Sequence, residues 1–154
     1  MMRFYPRSYP QTVVEVIDPR ITYPPAALRA VRAFAATKPW SGSLEERISK
    51  FRQLNRDLSA AYDLPEPELA FEHLDGGSSG RSSYCPLQHR ITLRGRLSVV
   101  TMLHEHHHAR CGPDERSACR WSINLFKRCF PRQYARLAHD GHMLVRPVNL
   151  EKHT

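Results

Sequence analysis

Leu103-His104-Glu105-His106-His107-His108-Ala109 is the stretch on which the reading of this chain turns. It contains an H-E-x-x-H core. Two histidines four residues apart on a helix lie about 40° apart around its axis, so both imidazoles can reach one metal ion while Glu105 can reach a water held by it. The same helical wheel places Val99, Val100, Met102 and Leu103 around much of the remaining circumference, so the helix is expected to be largely buried. Buried imidazoles need partners for their ring nitrogens, and a single cation serves both.

Working outward, Ser98 is an N-cap for a motif helix running from about Val99 to Arg110 and ending near Gly112-Pro113. A second helix follows from about Asp114 to Phe130, where Pro131 stops it. Ala118, Cys119, Trp121, Leu125, Phe126 and Cys129 make one broad apolar face of that helix; Arg116, Ser117, Arg120, Asn124, Lys127 and Arg128 make the polar one. Glu115 falls in the middle of the apolar face, where a carboxylate is costly unless ionically compensated. It is therefore the expected third ligand, completing a His104, His108 and Glu115 set for Zn2+ with water in the fourth position. Asp114 is the alternative. It lies six residues after His108, the separation found in the metzincin pattern H-E-x-x-H-x-x-G-x-x-H, with Cys111 in place of that pattern's glycine and Gly112 one residue late.

Upstream, Ser43 and Glu46 form an S-x-x-E capping box, and Leu44, Ile48, Phe51, Leu54, Leu58 and Ala61 recur at helical spacing up to Leu64-Pro65. Pro24 and Pro25 open a shorter alanine-rich helix over Ala26 to Ala36. Val13 to Ile17 reads as an edge strand, Glu68 to Leu74 as a strand, 75–80 as a flexible loop, and Ser83 to Leu93 as one further strand that Pro86 consigns to an edge or a bulge. An edge strand beside a metal site could pair with an extended peptide. Gln133 to Ala138 could add a helical turn or two. The expectation is one domain over residues 1–154, of α+β class, with a few helices on a short, mostly antiparallel sheet; its core spans about 24–130, with an arm over 1–10 and an extension over 131–154.

The formal charge of +8 comes mostly from arginines spread along the chain. A diffuse positive surface favours anionic partners, so a weak nucleic-acid contact is one expectation, although no helix-turn-helix, zinc-finger or aromatic-and-basic signature sharpens it. No apolar run approaches the ~18 residues of a membrane span and the first ten residues have no signal-peptide core, which points to a cytoplasmic chain with no membrane contact. Cys85, Cys111, Cys119 and Cys129 form no C-x-x-C pair and are expected as buried thiols, with a ligand or redox role left open for Cys111.

Ile91-Thr92-Leu93, Ser98, Leu103-His104-Glu105, His108-Ala109, Glu115, Ala118 and Trp121 together resemble the minimal gluzincin-type zinc metallopeptidases of the ImmA/IrrE-like and SprT-like groups. In the former, the motif helix is followed by a helix with a pattern like E-x-x-A, matched here by Glu115 and Ala118. The resemblance spans roughly Leu44 to Phe130. It implies a zincin-like fold and a peptidase acting on a protein or peptide substrate. Two features depart from the pattern: the x positions are His106 and His107, both of which the wheel places where core is expected, and the interval from His108 to Glu115 is short. His106 and His107 are expected to be exposed or hydrogen-bonded to nearby loops, with a second metal contact as the alternative.

The leading expectation is thus a zinc hydrolase with Glu105 as general base and Tyr134 or His142 as a further donor to a developing oxyanion. Hydrolysis of a small-molecule amide is a second enzymatic option. The alternative of a different class is a metal-stabilised nucleic-acid- or protein-binding module without catalysis.

Overall fold

The computed structural model describes residues 9–10, 12–74, 81–141 and 143–146. It is an α+β arrangement in the order α1 (Val13–Val16), α2 (Pro25–Ala36), α3 (Leu44–Ala61), β1 (Glu68–Glu72), β2 (Ser83–Cys85), β3 (Arg90–Arg94), α4 (Val99–Cys111), α5 (Glu115–Cys129), α6 (Pro131–Ala135), β4 (Ala138–Asp140) and β5 (Met143–Val145). The expected 75–80 loop and the chain before Tyr9 lie outside the described residues.

The helices start and stop where local chemistry dictates. Ser43 accepts the backbone N–H of Glu46 while the Glu46 side chain reaches back to the Ser43 N–H, so both halves of the capping box form. Ser98 caps α4 through the N–H of Thr101. Asp114 caps α5, accepting from the Arg116 N–H at 3.2 Å and the Ser117 hydroxyl at 2.8 Å.

The main sheet has the strand order β1-β3-β2, with β1 parallel and β2 antiparallel to the central β3. This corrects the expectation of a mostly antiparallel sheet. The stretch expected as one strand over Ser83 to Leu93 is a hairpin, turned through Pro86 to His89, where His89 takes a left-handed φ of 48°. That unforeseen reversal swings β3 into line with β1. The Tyr84 hydroxyl donates to His89 Nδ1 at 2.7 Å, and His89 Nε2 donates to the Pro65 carbonyl at 2.6 Å, tying the hairpin to the loop before β1. Register between β1 and β3 is pinned at both ends by opposed charges, Glu68 with Arg90 at 3.0 Å and Glu72 with Arg94 at 2.8 Å. Ile91, Thr92 and Leu93 are all buried, as suits a central strand covered on both faces.

A second correction concerns Val13 to Ile17, which forms the single helical turn α1 rather than an edge strand. The Thr12 hydroxyl caps it through the Glu15 N–H, and Val16 is fully buried in the fold. Strand propensity there yields to packing against α5. Residues 138–145, read only as part of an extension, form a small antiparallel hairpin, β4-β5.

The core joins Val31 and Phe34 of α2, Phe51, Leu54 and Leu58 of α3, Ile91 and Leu93 of β3, Met102 and Leu103 of α4, and Trp121, Leu125 and Phe126 of α5. Burying side chains of this size is worth about 1.5–3 kcal/mol each relative to exposure. Helix α4 packs on α5, β2 and β3, which leaves one of its faces to the N-terminal end of α5. That is where the chemistry converges. Among the described residues no helix is long and apolar enough to cross a membrane.

Candidate metal centre

His104 and His108, one turn apart on α4, hold their Nε2 atoms 3.1 Å from each other. Glu115, at the first position of α5, brings Oε2 to 2.9 Å from His104 Nε2 and Oε1 to 2.9 Å from His108 Nε2. A tetrahedral zinc set with bonds of about 2.0–2.2 Å has donor-to-donor edges near 3.3–3.5 Å, so this triangle is within a few tenths of an ångström of that size. Glu105 places a carboxylate oxygen within 4.8 Å of the ligand atoms of His104 and His108. The sequence-expected residues His104, Glu105, His108 and Glu115 are thus brought together. Asp114 is not among them, being occupied as the α5 cap.

The hydrogen-bond roles test whether a cation fits. His108 Nδ1 lies 2.9 Å from the Gly112 carbonyl, which can only accept, so Nδ1 carries the hydrogen and the neutral ring turns a bare Nε2 lone pair into the triangle. His104 Nδ1 faces the Cys119 sulfur at 3.8 Å, a contact in which the thiol can either accept or donate. With both rings neutral and carrying their hydrogens on Nδ1, the triangle offers two imidazole lone pairs and a carboxylate about one point, a donor set that suits a divalent ion.

Charge balance points the same way. Burial, helped by the nearby negative charge of Glu115, pushes the Glu105 carboxyl up to about 8. Burial also acts to raise Glu115, but hydrogen bonding and charge from His104, the charge of His108 and a hydrogen bond from Tyr9 outweigh it and leave that carboxyl below its ordinary value. A pocket that admits one negative charge and resists the second is a pocket suited to a cation.

The remaining motif histidines are not exposed, contrary to expectation. His106 is fully buried and meets the Ser59 hydroxyl of α3 at 3.1 Å. His107 is buried against Trp121, ring centroids 5.5 Å apart. They face away from the ligand triangle because positions 106 and 107 of α4 point into the core, which is what the wheel indicated for those positions. Beside them the Arg110 guanidinium lies 3.7 Å over the Tyr62 ring and 4.7 Å from the Trp121 centroid. Burial pushes His106 down to about 3 and His107 down to about 4, with the Arg110 charge adding to both.

Of the proposed oxyanion donors, Tyr134 bonds His139 Nε2 at 2.7 Å, and His142 lies outside the described residues. Asn124, placed on the polar face of α5, is instead buried beneath α1. Among the thiols Cys119 is buried as expected, whereas Cys111 is exposed and 3.2 Å from Arg110 Nη1. Sequence reasoning missed Tyr9, whose hydroxyl reaches Glu115 and whose phenol is pushed up to about 12 by burial and that carboxylate. No periodicity or motif marks that residue. A cavity of about 210 Å³ lies elsewhere, between α3 and the start of β1, lined by residues that include Arg52, Asn55 and Glu66. The candidate ligands are part-exposed, with His104 and Glu115 side chains 16% and 23% accessible.

Comparison with known protein families, curated proteins and solved structures finds no match to this chain.

Proposed function

We propose that this chain is a zinc-dependent metallopeptidase of minimal size, with His104, His108 and Glu115 holding the ion and Glu105 acting as general base. The observation that carries the reading is the convergence of two imidazole nitrogens and a carboxylate within 3.1 Å of one another, beside a second, reluctantly ionised carboxylate. A zinc ion bound there would activate a water at neutral pH and polarise a carbonyl.

The chain's own residues do the rest. The Gly112 carbonyl and the Cys119 sulfur fix the ring orientation of the two histidines. Glu105, buried next to the ligand atoms, would take a proton from the attacking water and return it to the leaving amine. The short strand β2 is an edge of the main sheet and packs on α4, so an extended peptide pairing with its outer side by main-chain hydrogen bonds would lie beside the candidate ligands. Part-exposure of the ligands favours catalysis over a purely structural ion, because structural zinc sites are closed by four protein ligands.

The test joins metal analysis with turnover. The purified chain is expected to hold one zinc, and to cleave an unfolded protein probe such as casein. Glu105→Gln is expected to keep zinc and fold while losing about 10²-fold or more of that cleavage. A wild type that takes up no zinc, or a Glu105→Gln chain as active as wild type, rejects the reading. Zinc bound without cleavage of protein, peptide or simple amide substrates would move it to the non-catalytic binding module.

A further inference from the structure

The segment before α2 is held against α5 by a series of polar contacts. Arg116 pairs with Glu15 at 3.0 Å, and Arg120 pairs with Asp18 at 2.6 Å. Asn124 accepts the Asp18 N–H at 3.0 Å and donates to the Val16 carbonyl at 2.8 Å. The Tyr23 hydroxyl donates to the Trp121 carbonyl at 2.9 Å, its ring edge-on to the indole. Traced back toward lower numbers, this strap arrives at the N-terminal end of α5. There Tyr9, next to the buried Pro10, makes its side-chain hydrogen bond with Glu115.

Each of the other two candidate ligands has a partner on its far side, the Gly112 carbonyl for His108 and the Cys119 sulfur for His104. Glu115 needs one more than they do. Its carboxylate sits on three rotatable torsions at the exposed start of a helix, and either oxygen could turn toward a cation. A hydroxyl that donates to one oxygen leaves the other to the ion.

We propose that the N-terminal strap is part of the metal centre and that Tyr9 is a positioning residue, its hydroxyl holding the Glu115 carboxylate in the orientation that presents it to zinc. The proposal rests on the zinc reading above. It assigns a role to a residue nearly a hundred positions before the motif, and it gives a use to the three side chains of α5, Arg116, Arg120 and Asn124, that hold this segment.

The experiment measures zinc affinity of the full chain by competition with a chelating indicator, together with the visible spectrum of the cobalt-loaded protein, which reports ligand geometry without reference to turnover. Tyr9→Phe is expected to bind zinc about 10–100-fold more weakly than wild type and to alter the cobalt bands, the loss typical of a missing partner to a metal ligand. Tyr134→Phe, whose hydroxyl serves His139 instead, is expected to match wild type within about twofold and controls for removal of a tyrosine hydroxyl. A Tyr9→Phe chain with wild-type affinity and an unchanged cobalt spectrum overturns the role of Tyr9 and leaves the zinc reading standing, whatever happens to turnover. A wild type without zinc affinity overturns both.

Discussion

Replacing His106 by glutamine should flatten the acid side of the stability profile. His106 is fully buried, touches Ser59 through Nε2, and among the described residues finds no partner at Nδ1. Burial, then the charge of Arg110, holds it neutral down to about 3. In the unfolded chain it protonates near its ordinary value of about 6.5. Below that pH the unfolded state binds a proton the folded state refuses, so stability falls as pH drops from about 6.5 toward about 3 and is complete above that window. At about pH 5 the loss from this one residue is about 2 kcal/mol, obtained from RT ln(1 + 10^ΔpH) with ΔpH of about 1.5. The figure depends on the unfolded value alone once the folded value lies well under 5, which makes it insensitive to how far the burial shift extends. Glutamine reaches the Ser59 hydroxyl from the same place and does not titrate. Guanidinium unfolding followed by tryptophan fluorescence, with a chelator present, at about pH 7.5 and about pH 5 gives the difference directly. Wild type should lose about 2 kcal/mol more than His106→Gln across that interval. Equal losses would refute the claim that the ring is held uncharged inside the fold.

Four further outcomes are expected. Glu115→Ala should abolish stoichiometric zinc binding by metal analysis, while Asp114→Ala should keep the metal and cost about 1 kcal/mol in unfolding as a lost helix cap. Leu58→Ala, at a fully buried site of α3, should destabilise by about 2–5 kcal/mol in chemical denaturation. Ser43→Ala removes half of the capping box and should cost about 1 kcal/mol by the same measurement. Asn124→Ala strips the partners of the Val16 carbonyl and the Asp18 N–H and should cost about 1–3 kcal/mol.

Helices were legible in this sequence because their signals are local. The capping box at Ser43 and Glu46, the prolines at 25 and 131, and the glycine at 112 mark ends that the structure reproduces to within a residue or two. The clustering of the candidate ligands was legible for a related reason: His104 and His108 share a helix face by arithmetic, and Glu115 was conspicuous as a carboxylate on an apolar stripe. Strand direction was not legible. It hinged on whether the chain reverses at Pro86 to His89, and a left-handed histidine closing a hairpin has no compositional mark. Histidines 106 and 107 were misjudged because polarity was weighed over position, although the wheel put both toward the core. Tyr9 could not have been found at all, since its place is set by ion pairs between residues about a hundred positions apart.

Gly112 terminates α4 with φ 94° and ψ −166°, a region open in practice to glycine alone, and in that pose its carbonyl receives the His108 ring hydrogen. A methyl group there would meet nothing within 4 Å, so space is no obstacle to substitution. Rotation of the peptide is the obstacle. An alanine would have to swing that oxygen away to relax, freeing the imidazole to carry its hydrogen on the other nitrogen and present N–H where a lone pair is required. One backbone torsion thereby decides which nitrogen of His108 is left to face Glu115 without a hydrogen.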